Sequence, residues 1–173
     1  MKTILNEQQL AITIRRLCHQ VLENNIELDN TVFIGIQPRG IYVSDQMIQE
    51  IRKLVPPEKV QYGKLDITFY RDDVRNKLHL PNHTDIPFNI DNKNVVLIDD
   101  VLYTGRTIRA AMDALIDFGR PAKVALCVLI DRRFSRELPI QPDFVGRSID
   151  SIVSQKVKVL WKARDGQDEV VLL

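Results

Sequence analysis

Residues 94–107, Asn-Val-Val-Leu-Ile-Asp-Asp-Val-Leu-Tyr-Thr-Gly-Arg-Thr, constrain the fold of this chain more than any other segment. Asn94–Ile98 carries a continuous apolar run, the pattern of a strand buried on both faces. Two carboxylates follow at once, and a Thr-Gly turn then opens a helix predicted from about Thr107 to Phe118. A second such run, Lys123–Ile130, ends in Asp131. Strands of this kind alternating with helices predict an α/β fold, a parallel sheet covered by helices on both faces.

The rest of the chain agrees. Leu10, Ile14, Leu17, Val21 and Leu22 follow helical spacing over residues 6–24, with Asn6 as N-cap. Thr31–Ile36 reads as a strand running into the turn Gln37-Pro38-Arg39-Gly40, and Ile41–Leu54 as a helix stopped by Pro56-Pro57. Val60–Tyr70 is rich in β-formers and predicts one long strand. Residues 71–91 hold Arg71, Asp72, Asp73, Arg75, Lys77 and Asp85 with little periodicity. A loop that long inside a domain is uncommon and often functional. Gly119-Arg120-Pro121 ends the helix before the second apolar run, and segments 142–146, 156–161 and 168–172 predict short late strands. No linker interrupts the pattern, so residues 1–173 are expected to form a single domain.

Composition narrows the function classes. Lys+Arg number 24 and Asp+Glu 23, a net charge of +1, which excludes a polybasic tail but not a local basic patch. Cys18 and Cys127 are too few for a disulfide framework and lack metal-ligand spacing. They are expected to be inert core thiols, and Trp161 a packing residue. No apolar run approaches the ~18 residues of a membrane span. The N-terminus MKTILNEQQL has no signal-peptide core, so the default location is cytoplasmic.

In open α/β sheets, ligands bind beyond the C-terminal ends of the strands. Polar clusters fall at such ends: Gln37–Gly40, Arg71–Asp73, Asp99–Thr107 and Asp131–Arg133. A helix N-terminus behind a tight turn binds phosphate. Adjacent acids just before it can hold hydroxyls or a hydrated cation. The two together suit a ribose 5-phosphate. The bland alternative is a strand–turn–helix whose Asp and Thr serve only as caps. The segment is neither a Walker A loop nor a Rossmann fingerprint, because GxxxxGK[ST] and GxGxxG are both absent.

Residues 95–107 resemble the motif by which type I phosphoribosyltransferases bind 5-phosphoribosyl 1-diphosphate (PRPP). Asp66–Asp73, Asp99–Thr107, Gly119-Arg120-Pro121, Leu129–Arg132 and Arg136–Ile140 further resemble the PyrR family, bifunctional pyrimidine-operon attenuators and uracil phosphoribosyltransferases. The resemblance covers residues 6–173. It implies a type I phosphoribosyltransferase fold with a small hood and a flexible loop, and transfer of the ribose 5-phosphate of PRPP to uracil, giving UMP and diphosphate. Asp99 and Asp100 would be catalytic, facing the ribose hydroxyls and, directly or through water, Mg2+ bound with PRPP. Val101, Leu102, Tyr103, Thr104, Gly105, Arg106 and Thr107 would wrap the 5-phosphate. Arg39 and Gly40 would sit in the pyrophosphate loop. The family more often has Lys-Thr where this chain has Gln37-Pro38, and Pro38 lacks an N–H donor. Loop 71–87 would close over PRPP, with Arg71 meeting the pyrophosphate, and Asp131 and Arg132 would lie beside the base.

The resemblance also implies binding of a hairpin in pyrimidine-operon mRNA, promoted by UMP or UTP. Arg15, Arg16 and His19 on the first helix and Arg147 are the candidate RNA contacts, with Arg133 and Arg136 in the loop after Asp131. The alternative for these side chains is a solvated helix face. Arg133-Phe134-Ser135 makes that loop one residue longer than the family pattern. The family forms homodimers and homotetramers. Two competing readings remain: an RNA-binding attenuator with little catalysis, and a transferase acting on purine bases.

Overall fold

The computed structural model describes residues 1–24, 27–72 and 80–173. In chain order the elements are β1 (Lys2–Leu5), α1 (Glu7–Asn24), β2 (Thr31–Ile36), α2 (Gly40–Leu54), β3 (Gln61–Leu65), β4 (Asn94–Leu102), α3 (Arg106–Leu115), β5 (Lys123–Arg133), β6 (Phe144–Asp150), β7 (Val157–Leu160) and β8 (Glu169–Leu172), with a helical turn at Lys162–Asp165.

Five strands form a parallel sheet in the order β3-β2-β4-β5-β6. From β2 the chain moves outward to β3, then returns to β4 on the other side of β2 and continues to β5 and β6. The order therefore reverses between β2 and β4, and a crevice opens beyond their C-terminal ends. The remaining strands make an antiparallel three-stranded sheet, β1-β8-β7, which is the small hood.

Successive residues of β4 serve opposite faces. Val96 and Ile98 pack with Leu10, Ile14, Leu17, Val43, Met47 and Ile51 of α1 and α2. Val95 and Leu97 pack with Ile108, Ala111 and Leu115 of α3. The solid apolar run is thus buried on both sides, as its composition predicts. At the start of α1, Asn6 and Gln9 cap each other: Gln9 N donates to Asn6 Oδ1 at 2.9 Å and Asn6 N to Gln9 Oε1 at 3.1 Å.

Several boundaries differ from the sequence reading. The predicted strand Val60–Tyr70 ends at Leu65. The Asp66 carboxylate accepts the Thr68 hydroxyl at 2.7 Å, folding Thr68–Tyr70 into a 3-10 turn. β4 continues through Asp99 and Asp100 to Leu102, and β5 through Asp131 to Arg133, because these ends still pair: Val101 lies opposite Ile130 and Leu102 opposite Asp131. α3 gives way to a 3-10 turn at Ile116–Phe118. β1 escapes periodicity analysis because it is short and its partner, β8, lies at the far end of the chain.

The loop after Tyr70 is tied down where it is described. Lys64 and Asp85 exchange backbone hydrogen bonds of 2.7 and 2.8 Å, and Asp66 N donates to Thr84 Oγ1 at 2.9 Å. Asp73, Arg75, Lys77 and His79 lie outside the described residues.

Candidate active site

β4 delivers Asp99 and Asp100 to the crevice between β2 and β4, where they are 4% and 6% exposed. Their backbone holds them: Asp100 N donates to Asp99 Oδ1 at 2.9 Å and Val101 N to Asp100 Oδ1 at 2.8 Å. Burial first, and then the neighbouring Asp100 charge, push the Asp99 carboxyl well above the usual carboxylate range. Asp100 faces a cation instead, with Arg39 Nε donating to its Oδ2 at 3.2 Å. The start of α2 presses on the same acids. A Cβ on Gly40 would stand 2.9 Å from both Asp99 Oδ1 and the Ile98 carbonyl oxygen, so glycine is required there by close approach.

Beyond the acids the chain turns through Val101–Gly105 into α3. Gly105 takes φ +96°, a left-handed conformation suited to glycine, and Arg106 N donates to Thr104 Oγ1 at 3.3 Å. A cavity of about 300 Å3 lies in this turn, lined by Arg71, Asp99, residues 101–108 and Glu137. It sits where a helix N-terminus offers unsatisfied backbone N–H groups. Arg71 Nη1 donates to Thr107 Oγ1 at 3.2 Å on the cavity wall. Arg106 is held by Glu137 at 2.7 Å and Asp72 at 2.9 Å.

The turn is buttressed by residues 136–140. Glu137 N and Leu138 N both donate to the Thr104 carbonyl, at 3.0 and 3.1 Å. Arg136 donates from Nη1 to the Tyr103 carbonyl at 2.5 Å and from Nη2 to Asp131 Oδ1 at 2.6 Å. The sequence reading offers Arg136 to RNA, as a basic group in the loop after Asp131; the structure turns it instead onto the Tyr103 carbonyl and Asp131. The signal available was the Arg-Glu-Leu-Pro-Ile run itself, without any cue to what it touches.

Asp131 and Arg132 lie beside this turn, with their polar atoms engaged by the protein. Arg132 is 4% exposed, and its guanidinium sits 3.9 Å from the centroid of the Tyr103 ring. Its Nε donates to Ser151 Oγ at 2.8 Å and its Nη2 to the Gln155 carbonyl at 2.9 Å.

At the end of β2, the Gln37-Pro38 peptide is cis. Gln37 N donates to the Leu65 carbonyl at 2.9 Å, and its side-chain amide to the His83 carbonyl at 2.9 Å. Gln37 Oε1 is buried without a partner. Arg39 extends past Asp100 to the hood, where Nη2 donates to the Val159 carbonyl at 2.6 Å.

The candidate RNA contacts Arg15, Arg16, His19 and Arg147 fall on α1 and β6. Arg16 crosses from α1 to donate to the Gly146 carbonyl of β6, and the next residue, Arg147, donates to the Ile4 carbonyl of β1 at 2.9 Å. Arg15 reaches instead toward Glu50 of α2, 3.8 Å away. His19, like the three arginines, is exposed. Among the described residues no cluster of three or more side chains is arranged to hold a metal ion. Asp99 and Asp100 are the carboxylates at the crevice. Such a pair fits magnesium, which keeps several waters and takes one or two carboxylates together with substrate phosphates.

The comparisons with known proteins agree with this geometry. Residues 1–163 match the phosphoribosyl transferase domain family. The chain is 43% identical over 171 residues to the bifunctional protein PyrR of Bacillus cereus (strain AH820), covering 96% of this chain and 94% of the relative. To the bifunctional protein PyrR of Elusimicrobium minutum it is 44% identical over 175 residues, covering 99% and 96%. Among solved structures, a mutant hypoxanthine phosphoribosyltransferase from Trypanosoma cruzi superposes with a TM-score of 0.76 at 16% identity, covering 99% of this chain and 94% of that one. A hypoxanthine-guanine phosphoribosyltransferase from Bacillus anthracis gives 0.68 at 21% identity, covering 86% and 84%. The structural likeness carries the fold, and the sequence identity carries the family: the chain belongs to the PyrR family of phosphoribosyltransferases.

Proposed function

We propose that this protein transfers the ribose 5-phosphate of PRPP to uracil, releasing UMP and diphosphate, and that it regulates pyrimidine genes by binding an mRNA hairpin when UMP or UTP is bound. The observation that carries the first half is the pairing of two buried acids with a phosphate-sized turn at the point where the strand order reverses. PRPP presents both groups that such a pair would bind, a ribose diol and a 5-phosphate. Uracil as the acceptor base follows from membership of the PyrR family.

In the reaction the C1–O bond to diphosphate breaks, a C1–N1 bond to uracil forms, and the N1 proton of uracil leaves to the departing diphosphate or to solvent. Asp99 and Asp100 bind the ribose hydroxyls and steady the positive charge that develops on the sugar. The turn 101–107 holds the 5-phosphate through backbone N–H groups and the hydroxyls of Thr104 and Thr107, which fixes C1 for attack. Arg71 and the backbone of the Arg39-Gly40 loop face the diphosphate, while the Arg39 guanidinium is turned to Asp100 and the Val159 carbonyl. Asp99 and Asp100 would hold magnesium together with PRPP, directly or through water, and the ion would supply neutralising charge for the diphosphate. Asp131 and Arg132 shape the base side of the site by holding the Tyr103 turn.

For RNA, the anchoring of exposed Arg16 on the Gly146 carbonyl, beside exposed Arg147 on β6, supports a phosphate-binding face that shares no residue with the cavity at 101–108. We further propose a single domain that acts in the cytoplasm as a homodimer or homotetramer. The test is a screen of bases with PRPP and magnesium, reading diphosphate release. Turnover with uracil supports the transfer; turnover confined to hypoxanthine, guanine or xanthine replaces it with purine salvage. Hairpin binding with no turnover of any base leaves an attenuator alone.

A further inference from the structure

We propose that Arg39 is a positioning residue that joins the Asp100 carboxylate to the hood, so that the acid at the ribose and the strand β7 are set by one side chain. The proposal rests on the transfer reading above and adds to it a coupling between the two sheets.

One guanidinium makes both contacts. Nε reaches Asp100 Oδ2 at 3.2 Å and Nη2 reaches the Val159 carbonyl at 2.6 Å. Asp100 belongs to the parallel sheet and Val159 to the antiparallel one. β7 is an outer strand of its sheet, so its outward-facing carbonyls need partners from elsewhere. Arg39 supplies one of them. A second contact ties the same two regions: the Tyr42 ring near the start of α2 stacks on Trp161 just after β7, with centroids 6.3 Å apart and planes 17° from parallel. The neighbouring Gly40 touches the other acid, Asp99, so residues 39 and 40 together locate both carboxylates.

The geometry demands arginine. Its planar fork presents separate donors in fixed directions, whereas a lysine ammonium is a single point of charge and serves one of the two acceptors at a time. A carboxylate whose place is set in this way moves when the hood moves. Arg39 therefore acts on the chemistry through Asp100 and, through β7, on the segment just before it, whose Gln155 carbonyl accepts from Arg132 on the proposed base side.

The experiment uses Arg39→Lys and Asp100→Ala, singly and together, with Arg39→Gln as a second variant in case the lysine protein fails to fold. Amide hydrogen exchange is followed over residues 157–172 of the free protein, and kcat and the KM values for PRPP and for uracil are measured separately. Each single variant is expected to speed exchange across β7 by about tenfold or more, a local opening made easier. The double variant is expected to add little to either, because the two residues act as one unit. Arg39→Lys is also expected to lower kcat and to raise the uracil KM together with the PRPP KM. A change confined to the PRPP KM, with hood exchange unmoved, would make Arg39 a diphosphate contact and overturn the bridge. Faster exchange with kcat and the uracil KM unmoved would reduce it to a structural cap and overturn the positioning role. Wild-type protein that releases no diphosphate with uracil would overturn the transfer reading instead, and the exchange cycle would then decide the bridge by itself.

Discussion

Arg136 spans from the Asp131 carboxylate, at 2.6 Å, to the Tyr103 carbonyl, at 2.5 Å, and so pins the phosphate turn to the end of β5. Tyr103 is held again from its ring side by Arg132. The turn proposed to present N–H groups to a phosphate is thus fixed from outside the cavity, by contacts that need no ligand.

Replacing Arg136 by Gln is expected to weaken PRPP and UMP binding together. The change removes a charged donor from Tyr103 and leaves Asp131 without its cation. A hydrogen bond to a charged group is worth about 1.5–3 kcal/mol, and partial exposure of Arg136 places the loss at the low end. Titration calorimetry with each ligand checks this. Loss of PRPP affinity with UMP affinity unchanged would show that the turn does not serve the phosphate both ligands share.

Asp99→Asn and Asp100→Asn are expected to cut turnover strongly while the fold stays intact, at a cost of about 2.7–4 kcal/mol if the contacts act mainly in the transition state. Unchanged kcat/KM in both variants removes the acids from the site. Asp99→Asn carries a second expectation from its raised pKa. The folded protein then binds a proton that the unfolded chain releases near pH 4, so burying Asp99 costs increasing stability as pH rises above that value. The asparagine variant lacks this cost and keeps the oxygen that accepts from Asp100 N. Its Tm should exceed that of the wild type at pH 7 and the advantage should vanish toward pH 4. An advantage that grew on acidification would reverse the assignment.

Thr104→Val should weaken PRPP and UMP alike, again by about 1.5–3 kcal/mol, because the hydroxyl is the proposed donor to the shared phosphate while the backbone donors persist. The Thr104 oxygen also accepts from Arg106 N, so a small loss of stability should accompany the change. Fluorescence-monitored melting separates the two effects: UMP should raise the Tm of wild type more than that of the variant.

The two thiols should resist modification in the folded protein. Burial pushes Cys18 up to about 12 and Cys127 higher still, so at pH 8 the thiolate of Cys18 amounts to roughly one molecule in ten thousand. Both side chains are buried with Met47 beside them. A thiol-reactive chromophore at pH 8 should therefore report no fast reaction, and two equivalents after denaturation. Fast labelling of the native protein would mean that this part of the core opens.

The sequence marked out the candidate cluster better than it showed what holds that cluster in place. Residues 95–107 are contiguous, and their chemistry is local: a buried strand, two acids, a glycine turn and a helix start. β2 was legible to the residue because apolar and turn signals meet at Gln37-Pro38. Three features were not legible, for one reason. Arg136 meeting Tyr103, Arg132 turning inward onto the same ring, and β1 pairing with β8 all depend on partners distant in the chain, and composition cannot name a partner. Val60–Tyr70 failed differently. Its β-propensity is real, but the Asp66 side chain offers Thr68 a local hydrogen bond that ends the strand.

Arg147→Ala and His19→Ala are expected to reduce hairpin binding without reducing uracil turnover. Both residues are exposed on β6 and α1, and neither lines the cavity at residues 101–108. Arg147 spends one donor on the Ile4 carbonyl, which leaves the rest of its guanidinium for a phosphate. Losing one phosphate contact should flatten the slope of log affinity against log salt by about 0.7–0.9, and should do so across RNA sequences, because phosphates position while bases specify. Arg15→Ala provides the comparison: its side chain reaches toward Glu50 of α2, a carboxylate that offsets its charge, so its effect on the slope should be smaller. The measurement is a fluorescence titration with a pyrimidine-leader hairpin and a scrambled hairpin at two salt concentrations, beside a turnover assay. Wild-type protein with no salt-sensitive preference for the leader hairpin would end the regulatory reading. Loss of turnover in both variants would instead show that the α1–β6 face and the nucleotide crevice are not separate surfaces.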